Sequence, residues 1–248
     1  MTFPVTAAGF LSPSLGSPGD GAGPAFEVKF LLDEVRAREV EVRARRILAL
    51  DPHGDPVLGG AYRTTSLYCD TPELDVYHRS EAYKGHKFRV RRYGSTPWAF
   101  LERKSKEDDR VAKKRTPVAE KDLARLTQPM VFGQWPGRWF HRSLLAHRLL
   151  PACRITYQRT AFAGSHARRP LRLTLDRRLH GTLATEWSLV PVEEGAPLLV
   201  GQVILELKYR TALPEPFAEL MRELDLHPST VSKYRLCREA RGVPPVRR

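Results

Sequence analysis

Along "HKFRVRRYG", residues 86–94, polar and apolar positions alternate. On a pleated strand Lys87, Arg89 and Arg91 share one face, Phe88, Val90 and Arg92 take the other, and Gly94 opens a turn. The same period of two recurs elsewhere. In "AFEVKFLL", Glu27 and Lys29 oppose Phe26, Val28 and Phe30; in "FLERK", Phe100, Glu102 and Lys104 oppose Leu101 and Arg103. In "LRLTLD", Arg172, Thr174 and Asp176 oppose three leucines; in "VILELKYR", Ile204, Glu206, Lys208 and Arg210 oppose Val203, Leu205, Leu207 and Tyr209. "TYQRTAF" aligns Tyr157 with Arg159. A half-buried strand ordinarily shows a polar face to water. A polar face built so largely from Lys, Arg and Glu on most strands is a pattern that needs its own cause.

Between these stretches the pattern predicts further elements. A helix over "DEVRAREVEVRARRILAL" has Asp33 as N-cap and an uneven apolar stripe of Val35, Val42, Ile47 and Leu48, and "DPHGDP" ends it. "AYRTTSLYCD" reads as a strand, "TPELDVYHRSEAY" as a turn and short helix, "PWAFLERKS" as a strand, and "KEDDRVAKKR" as a charged loop or ribbon. Helices follow at "AEKDLARL" and "RWFHRSLLAHRLL", then strands at "ACRITYQRTAFAG", "RRPLRLTLDRRLHGTLA" and "QVILELKYRT". "PEPFAELMRELDLHPSTVSKYRLCREA" reads as two helices split at "HPST", with Ser229 or Thr230 capping the second.

An open sheet with helices on its apolar side would give the same alternation. The strand count and the placing of the helices at 33–50, 118–150 and 214–240 favour closure instead, with outward apolar faces under the helices and charged faces turned toward one another. The expected fold is therefore α+β: an antiparallel β-barrel of about eight strands with helices packed on the outside. Residues 26–241 form its one domain, between an N-terminal tail (1–25) rich in Gly, Pro and Ser and a short C-terminal tail (242–248). Inward-facing cations are costly unless a counter-charge meets them, and linked phosphates would supply one.

Charge sharpens this picture. The 248 residues carry 41 Lys+Arg against 28 Asp+Glu, a formal charge of +13, which points to a polyanionic partner: nucleic acid, anionic lipid or a phosphate-rich small molecule. Cys69, Cys153 and Cys237 stand far apart, outside any CxxC or Cys/His pattern, so free thiols in a reducing compartment are expected, with no zinc site. No apolar run approaches membrane-spanning length, and a cytoplasmic protein is expected, with room for peripheral attachment at the inner face of the membrane through basic side chains.

The ordered motifs "EVKF", "SLYCDT", "FRVRRYG", "LERKSK", "KKR", "YQRTAF", "RLTLD", "LELKY" and "SKY" resemble the VTC domain, the polyphosphate polymerase branch of the triphosphate tunnel metalloenzymes, over residues 25–240. The resemblance implies an antiparallel β-tunnel that binds ATP, polyphosphate or tripolyphosphate with Mn2+ or Mg2+ and moves the γ-phosphate of ATP onto a growing polyphosphate chain. It implies Lys29, Arg89, Arg91, Lys104, Arg159, Arg172 and Lys233 as phosphate ligands, Tyr157 and Ser232 as hydrogen-bonding partners, and Glu206 as the metal carboxylate. Lys208 joins the substrate-binding set, and Lys113 or Lys114 adds a cation near the mouth. Glu27 and Glu102 are either second metal ligands or ion-pair partners that orient lysines, the latter preferred. Phosphoryl transfer asks the protein mainly to align two oxygens and spread charge, which suits such residues.

Two departures stand beside the resemblance. "STVSKY" has Thr230 and Val231 where better-studied members carry a second lysine, and no transmembrane or phosphate-sensing domain accompanies these motifs, so a membrane-protein partner would be a separate chain. A tripolyphosphatase or nucleoside triphosphatase, with water as acceptor, is the first alternative. Relatives that hydrolyse usually carry ExExK in the first strand, against the single Glu27 and Lys29 here. A non-catalytic polyphosphate-binding module is the next. A helix-turn-helix DNA binder over 217–240 is a distant one, since it leaves the charged strands unexplained; no nucleic-acid partner is expected.

Overall fold

Among the described residues, those with apolar and charged positions in alternation form nine antiparallel strands: β1 (Phe26–Asp33), β2 (Ala49–Leu50), β3 (Ala61–Asp70), β4 (Lys87–Tyr93), β5 (Trp98–Glu107), β6 (Arg110–Ala119), β7 (Leu150–His166), β8 (Arg169–Leu183) and β9 (Gln202–Tyr209). The computed structural model describes residues 25–107, 110–131, 133–193, 197–210 and 212–243, so residues 1–24 and 244–248 of the expected tails lie outside the described residues. The strands pair in the order β1-β9-β8-β7-β3-β4-β5-β6, with β2 beside β7. "KEDDRVAKKR" is mostly ribbon, running from the end of β5 into β6.

The sheet is a tunnel without a closing backbone ladder. Strands β1 and β5 stand six places apart in the pairing order, about 29 Å on a flat sheet. Yet Lys104 Nζ on β5 lies 3.1 Å from Glu27 Oε2 on β1. Only a sheet rolled around its charged face permits that contact. The expected tunnel is present, but side chains rather than main-chain hydrogen bonds bridge its seam.

The convex side is apolar and covered by helices. α1 (Glu34–Ile47) and α4 (Glu215–Glu223) lie over Phe30 and Leu32 of β1, Leu171, Leu173 and Leu175 of β8, and Leu205 and Leu207 of β9. α3 (Arg138–Ala146) and a 3-10 helix at Glu120–Thr127 cover Leu67, Val90 and Leu101 with Phe140, Leu144, Leu123 and Leu126. A short helix, α2 (Asp75–His78), follows β3. Asp33 caps α1 as expected, accepting from the Arg36 amide at 2.7 Å. The expected stripe of α1 is corrected: Val35, Val42 and Ile47 are exposed, and Ala37, Val40 and Ala44 are buried with Leu48. Small alanines let the helix axis approach the sheet, a packing reason that periodicity of large residues does not capture.

The last helix, α5 (Lys233–Glu239), buries Tyr234 and Cys237 against Tyr68, Cys153 and Ile155. Tyr234 stacks on Tyr68 with centroids 5.6 Å apart and donates to Asp70 Oδ2 at 2.5 Å. Ser232, not Ser229 or Thr230, occupies the N-cap position, and its hydroxyl makes no capping bond. The Ser229 amide donates instead to the Lys29 carbonyl at 2.7 Å, tying this segment to β1. Arg235 donates to the Tyr77 carbonyl, so the helix that a DNA-binding reading would project into a groove is docked on the fold. Among the described residues no helix is long and apolar enough to cross a membrane.

Candidate functional site

Register decides which side chains face the lumen. Across β4, β5 and β6, Arg89, Glu102 and Arg115 stand directly opposite one another, and Lys87, Lys104 and Lys113 form the adjacent row. In the first row charge is compensated: Arg89 Nε lies 2.5 Å from Glu102 Oε2, and Arg115 Nε lies 3.4 Å from Oε1 of the same carboxylate. Glu102 is buried, and its field reaches Arg91 as well. Arg91 has no carboxylate within ion-pairing distance among the described residues. Its Nε donates to Ser66 Oγ at 3.0 Å and its Nη1 to Tyr93 Oη at 3.5 Å, while the residue as a whole is 5% exposed.

The facing wall comes from β1, β9, β8, β7 and the start of α5. Lys29 lies 3.5 Å from Glu27 and 3.8 Å from Glu206. Lys208 lies 3.8 Å from Glu27 and 3.7 Å from Glu206. Deeper in, Asp176 is fully buried, takes a two-pronged grip from Arg159 (2.6 and 2.7 Å), and receives Lys233 Nζ at 2.6 Å. Lys233 Nζ also sits 4.8 Å from the centre of the Tyr157 ring. The Tyr157 hydroxyl, Thr64 Oγ1, Thr174 Oγ1 and Arg172 Nη1 are buried without a hydrogen-bond partner among the described residues. All four belong to lumen-side register positions, where acceptor-rich oxygens would satisfy them.

The structure thus brings Lys29, Arg89, Arg91, Lys104, Tyr157, Arg159, Glu206, Lys208 and Lys233 around one interior, with Lys113 in the row beside Lys104. Arg172 reaches the rim, donating to Asp51 Oδ2 at 3.1 Å and Tyr62 Oη at 3.2 Å. Lys114 is the correction. It pairs with Arg103 on the convex face, and its Nζ lies 4.6 Å over the Trp139 ring, because a shift of one residue along a strand reverses the face. Lys87, Arg115 and Asp176 belong to the same interior and lie outside the set of site residues that the motifs imply. Their alternation was readable, yet only pairing shows that Asp176 anchors two cations from different elements. Glu27 meets three lysines, the ion-pair role preferred for it, and Glu102 meets two arginines.

Burial opposes charge on Glu206, Glu102 and Asp176, and the neighbours decide the outcome. Burial alone would raise the Glu206 carboxyl, but Lys208, Lys29 and Arg159 hold it well below the usual range. Glu102 is lowered against its burial by Arg89 and Arg91. Asp176, buried likewise, is brought from its usual 3.8 to about 2 by Arg159 and then Lys233. Such a group, with its folded value below the unfolded one, contributes stability that is complete above about pH 4 and lost as pH falls through about 2. Urea midpoints should therefore drop across that window, and Asp176→Asn should flatten the part due to this residue. An unchanged slope in the variant would remove Asp176 from the acid response.

A family model for the VTC domain matches residues 25–240. No curated protein matches this chain in sequence. Among solved structures, a putative adenylate cyclase from Bacillus halodurans aligns with a TM-score of 0.50 at 11% identity, covering 83% of this chain and 92% of its own. A putative adenylyl cyclase from Hippeastrum, described as having a dominant triphosphatase activity, aligns at 0.48 and 15% identity, covering 90% and 98%. A Pyrococcus horikoshii OT3 protein aligns at 0.48 and 14%, covering 87% and 97%.

Proposed function

The chain belongs to the VTC domain family and has the triphosphate-tunnel architecture, and from that premise we propose that it moves the γ-phosphate of ATP onto a polyphosphate chain held in the lumen. The observation that carries this reading is Arg91, a buried guanidinium with no carboxylate within ion-pairing distance among the described residues, near the Tyr157 hydroxyl, which has no hydrogen-bond partner among them. Both ask for anionic oxygen acceptors, and phosphate provides them. In this reading Arg89, Arg91, Arg159 and Arg172 grip non-bridging oxygens. Lys29, Lys104, Lys113, Lys208 and Lys233 supply mobile positive charge, and Tyr157 and Ser232 donate hydrogen bonds.

A divalent ion, Mn2+ or Mg2+, fits with Glu206 as its carboxylate, since that group is held ionised. Among the described residues no group of three or more His, Cys, Asp or Glu could hold a metal by itself. The ion would therefore take most of its oxygens from the phosphates and solvent, as Mg2+ commonly does, and would neutralise charge that builds up between them.

Hydrolysis is the second reading. Val231 packs on the apolar core beside α5 where a second lysine would hold an acceptor chain, which favours water as the acceptor. Incubation of the purified chain with ATP and manganese, read by a polyphosphate-stained gel and by free phosphate release, separates the two. Long product supports transfer; phosphate alone supports hydrolysis. Neither, from folded protein, overturns both and leaves a binder.

A further inference from the structure

The two charged rows of the β4-β5-β6 wall differ in one respect. Arg89, Glu102 and Arg115 alternate in sign, whereas Lys87, Lys104 and Lys113 place three ammonium groups directly opposite one another on neighbouring strands. Like charges so placed repel. Lys104 is relieved by Glu27 at 3.1 Å, but Lys87 has no acidic partner within ion-pairing distance among the described residues. The groups that face it are Lys104 from β5, Lys29 and Glu27 from β1, and Arg89 from its own strand, three cations against one carboxylate that Lys29, Lys104 and Lys208 already share.

We propose that Lys87 is a further phosphate-contacting residue whose ammonium form the ligand stabilises, so that above neutral pH binding of linked phosphates draws close to one proton from solvent onto Lys87 Nζ. Without an anion the row is least strained with one amine neutral. Burial first, and then Lys29, Lys104 and Arg89, lower this group to about 7 despite Glu27. A bound phosphate reverses the balance, because its negative oxygens favour the charged amine and outweigh the neighbouring lysines. The sign follows: below about pH 7 Lys87 is already protonated and binding takes up little, whereas near pH 8 uptake approaches one proton.

This inference rests on the reading of the lumen as a phosphate site, and its test separates the two. Tripolyphosphate binding to the full chain is measured by calorimetry at pH 8 in two buffers of different ionisation enthalpy, for the parent, Lys87→Arg and Lys87→Met. Comparison with the variants cancels protons that the ligand itself exchanges. Close to one proton less uptake in both variants is expected, with affinity kept in Lys87→Arg and weakened about tenfold in Lys87→Met. Equal proton exchange in all three overturns the role of Lys87 while leaving the phosphate site intact. Absence of any binding to the folded parent removes the site and this inference together.

Discussion

Arg91→Met should leave the ligand-free protein at least as stable as the parent while cutting turnover of a triphosphate substrate by about 10^2–10^3-fold. The two effects have one origin. Arg91 is buried against Ser66 and Tyr93 without a carboxylate in ion-pairing distance among the described residues, so the unliganded fold meets a desolvated charge with neutral hydrogen-bond partners and the more distant field of Glu102. Methionine fills much of the same volume without that charge. What it cannot do is grip phosphate oxygens with a planar fork. The measurement pairs urea denaturation with melting curves in tripolyphosphate. At about a hundredfold its dissociation constant, the ligand should stabilise the parent by roughly 2.7 kcal/mol and the variant by much less. A variant that is weaker alone yet equally stabilised by the ligand would assign Arg91 to structure, not to binding.

Asp176→Ala should act in the opposite direction, costing about 3–5 kcal/mol of folding stability. Asp176 is fully buried and receives Arg159 and Lys233 at once, so its removal strands two cations in a site with little water. Adding Lys233→Met to Asp176→Ala should recover part of the loss, because one of the stranded charges is gone. Strict additivity of the two substitutions would show that they do not meet in the folded protein. The contrast with Arg91 is instructive. Arg159 and Lys233 are held in place by their own carboxylate, whereas the side-chain hydrogen bonds of Arg91 go, among the described residues, to the neutral Ser66 and Tyr93 hydroxyls.

Much of this was legible from alternation. Strand faces at Lys29, Arg89, Arg91, Lys104, Glu206 and Lys208 follow from a period of two, and the helices that cover the other side follow from their apolar residues and from Asp33 as a cap. What alternation lacks is register. It could not separate Lys113 from Lys114, since either fits a ribbon of basic residues until pairing with Lys104 and Arg103 fixes the face. Nor could it find the grouping of Arg159, Asp176 and Lys233, which come from two strands and a helix distant in sequence. Helix α1 failed in another way: the pattern favoured large aliphatic residues, but close helix-on-sheet packing selected Ala37, Val40 and Ala44. Ser229 was a reasonable cap by residue type, yet its amide is drawn to the Lys29 carbonyl, a tertiary hydrogen bond that local preference does not contain.

The missing ladder between the first and last strands of the pairing order bears on the calibre of the lumen. A barrel closed by main-chain hydrogen bonds has its girth set by strand number and stagger. Here the clasp is Lys104 on Glu27, with side chains 36% and 20% exposed, an ion pair of the kind that contributes about 1 kcal/mol or less. A phosphate arriving at Lys104 would compete with Glu27 for the same ammonium. On the proposed function, entry of the ligand would loosen the hoop that surrounds it, and the bore would widen by exchanging one anion for another while the backbone hydrogen bonds stay unbroken.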